Sequence, residues 1–117
     1  MAEIVINLHL HTRYSDGTGT HQEIAEAAIQ ANLDAVLVTD HNLLVPEHED
    51  YFRIDSKQVL MLIGEEIHDQ QRTPQKNHLL VFGAKKELAD QAANPQELID
   101  QVHQHGGICF LAHPVDP

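Results

Sequence analysis

The residues that could do chemistry come early in the chain, in His9-Leu10-His11-Thr12-Arg13-Tyr14-Ser15-Asp16-Gly17. They follow the alternating apolar run Ile4-Val5-Ile6-Asn7-Leu8, which reads as a strand. Residues two apart on a strand point to one side, with Cα atoms about 6.5 Å apart. The imidazoles of His9 and His11 can therefore converge on one metal ion, at metal–nitrogen distances of about 2.0–2.1 Å. Asp16 returns from the loop with a hard oxygen donor. A lone His-x-His is also the pattern of two ordinary surface or hydrogen-bonded histidines, so the weight rests on four further segments. Thr39-Asp40-His41-Asn42, Gly64-Glu65-Glu66, Asn77-His78-Leu79-Leu80-Val81-Phe82-Gly83 and Ala112-His113-Pro114 each put a metal-capable side chain at a strand terminus.

The elements that must position these side chains alternate. Thr20-His21-Gln22-Glu23 is a capping box, with Thr20 as N-cap and Glu23 at the third helical position. Ile24, Ala25, Ala28 and Ile29 form an apolar stripe at helical spacing, and Asn32 tolerates the left-handed conformation that ends a helix. The pattern predicts a helix over about residues 21–31. Asp34–Thr39 and Val59–Ile63 are apolar along their length, as strands buried on both faces are. The segment through Pro46 and residues 47–50 reads as loop or short helix. His78–Gly83 reads as a fourth strand. Asn94-Pro95-Gln96-Glu97 opens a second helix, with Asn at the N-cap, Pro at the first position and Gly106 at the end. Gly107–Ala112 is a fifth strand. Buried strands alternating with helices predict a parallel or mostly parallel sheet, and functional groups at strand ends suit α/β barrels and open α/β sheets.

Composition narrows the function. Seven Lys and Arg against 18 Asp and Glu give a net charge of −11. Such a surface repels a phosphate backbone, so nucleic acid is possible but not favoured as a partner. A phosphorylated small molecule remains compatible if bound cations supply the positive field. No apolar run approaches the roughly 20 residues of a membrane span, and no basic region followed by an apolar stretch marks a signal peptide. The single cysteine, Cys109, has no internal disulfide partner and suits a reducing, cytoplasmic compartment. A chain of 117 residues is ample for one domain but short of the roughly 250 of a closed α/β barrel.

Taken together, His9-x-His11-x-x-x-Ser15-Asp16-Gly17, Thr39-Asp40-His41-Asn42 and Ala112-His113-Pro114 resemble the PHP family, named for its members in bacterial DNA polymerases and histidinol phosphatases. The resemblance runs from Ile4 to Pro114. It implies an α/β fold: the N-terminal portion of a distorted (β/α)7 barrel, mostly parallel strands with metal ligands at their C-terminal ends. It also implies two to three divalent metal ions, and the mixed histidine and carboxylate donors suit Mn, Zn or Fe better than Mg or Ca. Carried over position by position, His9 and His11 would bind the first metal and Glu66 would bridge the first and second. His78 and His113 would complete the second, and Asp16 and His41 would bind the third. Glu66 is preferred to Glu65 because the family pattern is Gly, any residue, Glu, counted from Gly64. The family's late Asp-x-His is not found after His113, and Asp116 follows too closely to supply it. Residues 1–117 are accordingly expected to be a single domain fragment, the N-terminal half of the barrel. Its open side would be covered by a missing C-terminal segment or by self-association, since open sheet edges and apolar faces associate.

The resemblance implies metal-dependent hydrolysis of a phosphate ester, either a small phosphate monoester or a nucleotide. Clustered divalent metals lower the pKa of water toward about 7, neutralise phosphoryl oxygens and hold nucleophile and leaving oxygen in line. Arg13, beside the metal loop, is a candidate phosphate clamp, because a guanidinium binds two phosphate oxygens at once; its alternative is a surface arginine. The competing functions are a non-catalytic metal-binding or regulatory domain and a 3′–5′ exonuclease module of a DNA polymerase. Asp40 reads either as a support for a ligand histidine or as a turn residue. His21, His48, His103 and His105 read as ordinary surface or helix-end histidines. His68, two residues beyond Glu66, is near enough to touch the site.

Overall fold

A computed structural model describes residues 3–71 and 78–112. Six strands form one curled sheet: β1 (Ile6–Leu10), β2 (Ala35–His41), β3 (Asp50–Ile54), β4 (Lys57–Ile67), β5 (Leu79–Phe82) and β6 (Ile108–Leu111). The order is β1-β2-β4-β5-β6, with β3 also paired to β4. β2 runs parallel to β1 and to β4, while β3 and β5 run antiparallel to β4, and β6 antiparallel to β5. Four of the six strands, β1, β2, β4 and β6, therefore share one direction, which matches the mostly parallel half-barrel expected. β3 and β5 share one edge of β4 in succession, β3 opposite residues 57–61 and β5 opposite residues 65–67. Between them the Ile63 N–H donates to the Glu49 carboxylate at 3.0 Å, so a side chain closes the ladder where no strand does.

Helix α1 (His21–Gln30) carries the capping box: the Glu23 N–H donates to Thr20 Oγ1 at 3.1 Å, and the Thr20 N–H to Glu23 Oε1 at 3.0 Å. Asn32 leaves the helix at a φ of +61°. Helix α2 (Pro95–Gln104) starts on Asn94, whose Oδ1 accepts from the Glu97 N–H, and Gly106 follows it at a φ of +76°. Both helices lie on one face of the sheet. Ala25, Ala28 and Ile29 pack on Val36, Val38, Val59, Met61 and Ile63, while Leu98 and Val102 pack on Ile67, Leu79 and Val81. The period of two along β2, β4 and β5, with a register shift between Asn7 and Leu10 in β1, then fixes what the other face carries: His9 on β1, Thr39 and His41 on β2, Glu66 on β4, and Leu80 and Phe82 on β5.

The structure sharpens three readings. The first strand lies two residues later than Ile4–Leu8 and includes His9. The segment read as loop or short helix is a single 3₁₀ turn over Pro46–His48. The β3–β4 hairpin after it has no counterpart in the sequence reading, because β3 (Asp-Tyr-Phe-Arg-Ile) is short, mostly exposed and interrupted by the charges of Asp50 and Arg53. His78 directly precedes β5, as its place at the head of the fourth strand read from sequence has it, so the C-terminal strand ends that the resemblance implies for the ligands do not describe this one. Because β5 is antiparallel to β4, its beginning meets the end of β4, with Ile67 opposite Leu79. Apolar side chains stand exposed at both outer strands: Ile6 and Leu8 on β1, and Ile108, Phe110 and Leu111 on β6. No helix among the described residues is long and apolar enough to cross a membrane.

Candidate metal centre

Glu66 is the centre of the site. It is fully buried, and four imidazoles converge on its two oxygens. Oε1 lies 2.5 Å from His9 Nε2 and 3.2 Å from His11 Nε2. Oε2 lies 2.7 Å from His78 Nδ1 and 3.9 Å from His41 Nδ1. Asp16 joins from the loop after β1, with Oδ2 3.1 Å from His41 Nε2 and Oδ1 3.9 Å from His11 Nδ1. These donors form three overlapping groups, each with its ligand atoms within 4.8 Å of one another: His9, His11 and Glu66; His11, Asp16 and His41; His41, Glu66 and His78.

Backbone direction delivers each donor. β1, β2 and β4 are parallel, so His9, His41 and Glu66 reach the same end of the sheet, with His41 directly opposite Glu66 in register. Reversed β5 brings His78 to that end from its own start. The loop holding His11 and Asp16 is fixed by Asp40, which is wholly buried. The Thr12 N–H and the Ser15 hydroxyl donate to Asp40 Oδ1 at 2.6 and 2.7 Å, and the Thr12 hydroxyl donates to Oδ2 at 2.7 Å. Asp40 alternates with His41 and so points to the helix side of β2. Neither reading of Asp40 from sequence described this: its three hydrogen bonds support the ligand loop rather than a histidine ring or a turn.

The adjacent glutamates are separated by the same alternation. Burial raises the Glu66 carboxyl, but hydrogen bonds from His78 and His9 and the nearby His41 outweigh it and hold the group below the usual carboxylate range. Glu65 faces the helix side, where burial first and a shared hydrogen bond with Glu87 second push it up to about 9. One glutamate is thus an ionised ligand candidate and its neighbour a neutral acid. Burial also lowers His11, reinforced by the closeness of His41, so its imidazole tends to be neutral with a lone pair to offer. The Nδ1 atoms of His11 and His41 are buried and lack a hydrogen-bond partner among the described residues. A buried polar atom left so costs about 1–3 kcal/mol, which a cation would relieve. Imidazole nitrogens and carboxylate oxygens at this spacing fit divalent transition metals.

A model of the PHP domain matches residues 7–113. The chain belongs to the PHP domain family. Its relatives include an uncharacterised protein of Methanocaldococcus jannaschii, 25% identical, with the match covering 95% of this chain and 68% of that protein. A solved structure from Bacteroides vulgatus, described as a two-domain protein containing a predicted PHP-like metal-dependent phosphoesterase, aligns with a TM-score of 0.60 and 18% identity. That match covers 96% of this chain and 35% of the other, so the chain spans about a third of that protein's length and the likeness concerns the fold.

Within this PHP domain the structure brings His9, His11, Asp16, His41, Glu66 and His78 together. His113 lies outside the described residues. Arg13 is exposed and lines a separate cavity of about 300 Å³ with Tyr14, His21, His48 and Phe52. His68 joins the site from β4's end. It is 6% exposed, stacks on His78 with ring centroids 4.5 Å apart, and meets His41 edge-on at 5.0 Å. Its place two residues past Glu66 was the available signal, since that spacing keeps both on one side.

Proposed function

We propose that this PHP domain carries the metal-binding part of a phosphoesterase that hydrolyses a small phosphate monoester or nucleotide with two to three divalent ions, Mn, Zn or Fe. His9, His11, Asp16, His41, Glu66 and His78 would hold the ions, together with His113. The observation supporting this most strongly is the Glu66 carboxylate, which addresses different imidazoles with each oxygen and so belongs to two of the three donor groups. When bound, such ions supply charge neutralisation at phosphoryl oxygens and an acidified water. The chain's own part is to hold the donors before any ion arrives. Glu66 is ionised and sunk beneath the histidines, Asp40 fastens the loop bearing Asp16, and the sheet sets the spacing of the rest. Asp16, whose side chain is 63% exposed, would face incoming substrate.

The exposed edges of β1 and β6 favour association or cover by a further segment, and sedimentation showing a monomer at high concentration would count against self-association. The functional test is phosphate release from a panel of phosphate esters with added Mn, run on the full-length protein, since this fragment alone need not be active, beside elemental analysis of the same sample. Release that depends on Glu66 is the expected result. A sample that holds its metals yet cleaves nothing in the panel refutes the phosphoesterase reading and leaves the non-catalytic metal module standing.

A further inference from the structure

His68 belongs to none of the three donor groups. It nevertheless touches two of their members, the face of its ring on His78 (interplanar angle 17°) and its edge on His41 (86°). Its backbone is fastened on both sides by one residue. The His68 N–H donates to Asn42 Oδ1 at 3.0 Å, and Asn42 Nδ2 donates to the His68 carbonyl at 3.0 Å. Asn42 makes this clamp from a left-handed backbone, at a φ of +52°, directly after His41. Its own N–H donates to the Glu66 carbonyl. The ring itself is held differently. Its Nδ1 is buried with no hydrogen-bond partner among the described residues, so van der Waals contact and the backbone clamp fix it in place.

We infer that His68 is a positioning residue for the metal centre: its ring, pinned by Asn42, sets the orientations of His41 and His78 and so favours metal binding by the group His41, Glu66 and His78. This rests on the cluster being a metal centre. The asymmetry is what makes it specific. Both histidines that His68 touches belong to that one group; His78, on which its face lies, belongs to no other, while His41 is shared with His11 and Asp16, and the group of His9, His11 and Glu66 contains neither of them and keeps its geometry when the ring is removed. A truncated ring leaves His78 free to turn about its side-chain torsions, and a ligand that must be reordered on binding costs affinity. Supporting residues of this kind typically contribute about 10–100-fold to metal affinity.

The test is titration of the metal-free chain with Zn and with Mn by calorimetry, counting classes of site and their affinities, with circular dichroism as the control for folding. The wild-type chain is expected to show at least two classes. In His68→Ala one class weakens about tenfold and the other stays within twofold. His68→Phe, which restores a flat ring without its nitrogens, recovers most of the loss. Asn42→Gly keeps the positive φ, removes only the clamp, and weakens the same class by a smaller factor. Three results overturn the inference: equal affinities in His68→Ala and wild type, an equal loss in every class, or a His68→Phe variant as weak as His68→Ala. A wild-type chain that takes up no metal fails earlier, because it removes the metal-centre reading and this inference with it. Should His68→Ala not fold, Asn42→Gly still decides the matter through whether it weakens one class alone, with His68→Phe expected to bind in every class nearly as the wild type does.

Discussion

Removing the Asp40 carboxylate tests how far the metal loop depends on a residue that binds no metal. Asp40 is buried to 0% exposure and accepts from the Thr12 N–H, the Thr12 hydroxyl and the Ser15 hydroxyl, all between 2.6 and 2.7 Å. A hydrogen bond to a charged group contributes about 1.5–3 kcal/mol, and three that share one acceptor do not simply add. Asp40→Ala strands two buried donors on Thr12 and one on Ser15, so we expect a loss of about 3–5 kcal/mol, a large part of the 5–15 kcal/mol typical of a domain. Asp40→Asn is milder. Its amide oxygen can serve the Thr12 N–H and Ser15, while its NH₂ group meets the Thr12 hydroxyl. That hydroxyl already accepts from the Tyr14 N–H at 3.1 Å and can accept again, but its own proton then has no acceptor. The cost should be about 1–3 kcal/mol. Urea unfolding of the metal-free chain measures both values, and metal titration reports whether the Asp16 group weakens in step. If Asp40→Ala stays within about 0.5 kcal/mol of wild type, the range of an ordinary surface substitution, the loop is held by something other than this carboxylate.

The remaining predictions concern charge and pH. Glu66→Gln should lower metal affinity in every class that includes this residue by more than the roughly 10–100-fold of a supporting residue, and calorimetry that finds unchanged binding would remove Glu66 from the site. Glu65 behaves oppositely: raised to about 9 when folded, it binds a proton that the unfolded chain has released, so its burial weakens the fold increasingly as pH rises above 4.5. Glu65→Gln should therefore raise the urea midpoint at pH 8 more than at pH 5, and an equal change at both values would contradict the assignment. His21, lowered first by burial and then by His48 stacked 3.9 Å away, favours the fold when neutral. That contribution is complete above 6.5 and is lost as pH falls toward the lowered folded value, so His21→Leu should flatten the stability decline between pH 7 and pH 5.

Spacing alone pointed to a multi-metal site, the resemblance to the PHP family supplied its ligand set, and the part that neither made legible depended on strand direction. His9, His41 and Glu66 were legible because each sits where a strand of like direction ends. The two helices were legible because Thr20, Glu23, Asn94 and Pro95 act within one turn of themselves. β3 was not legible, because a five-residue strand broken by the charges of Asp50 and Arg53 carries no clear alternation, and only the register of β4 reveals that an edge is there to be filled. His78 shows the same limit from the other side. Its sequence position, before an apolar run, contradicts the expectation of ligands at C-terminal ends, and only the reversal of β5 resolves it. The choice between Glu65 and Glu66 comes down to alternation along one strand. Val59, Met61 and Ile63 face α1, so residue 65 must face the helices and residue 66 the cluster. The same count carries past the end of β4 to His68, which continues the face of Glu66. A strand that carries one ligand therefore also proposes, two residues on, what stands beside it, and the buried ring against His41 and His78 is that neighbour.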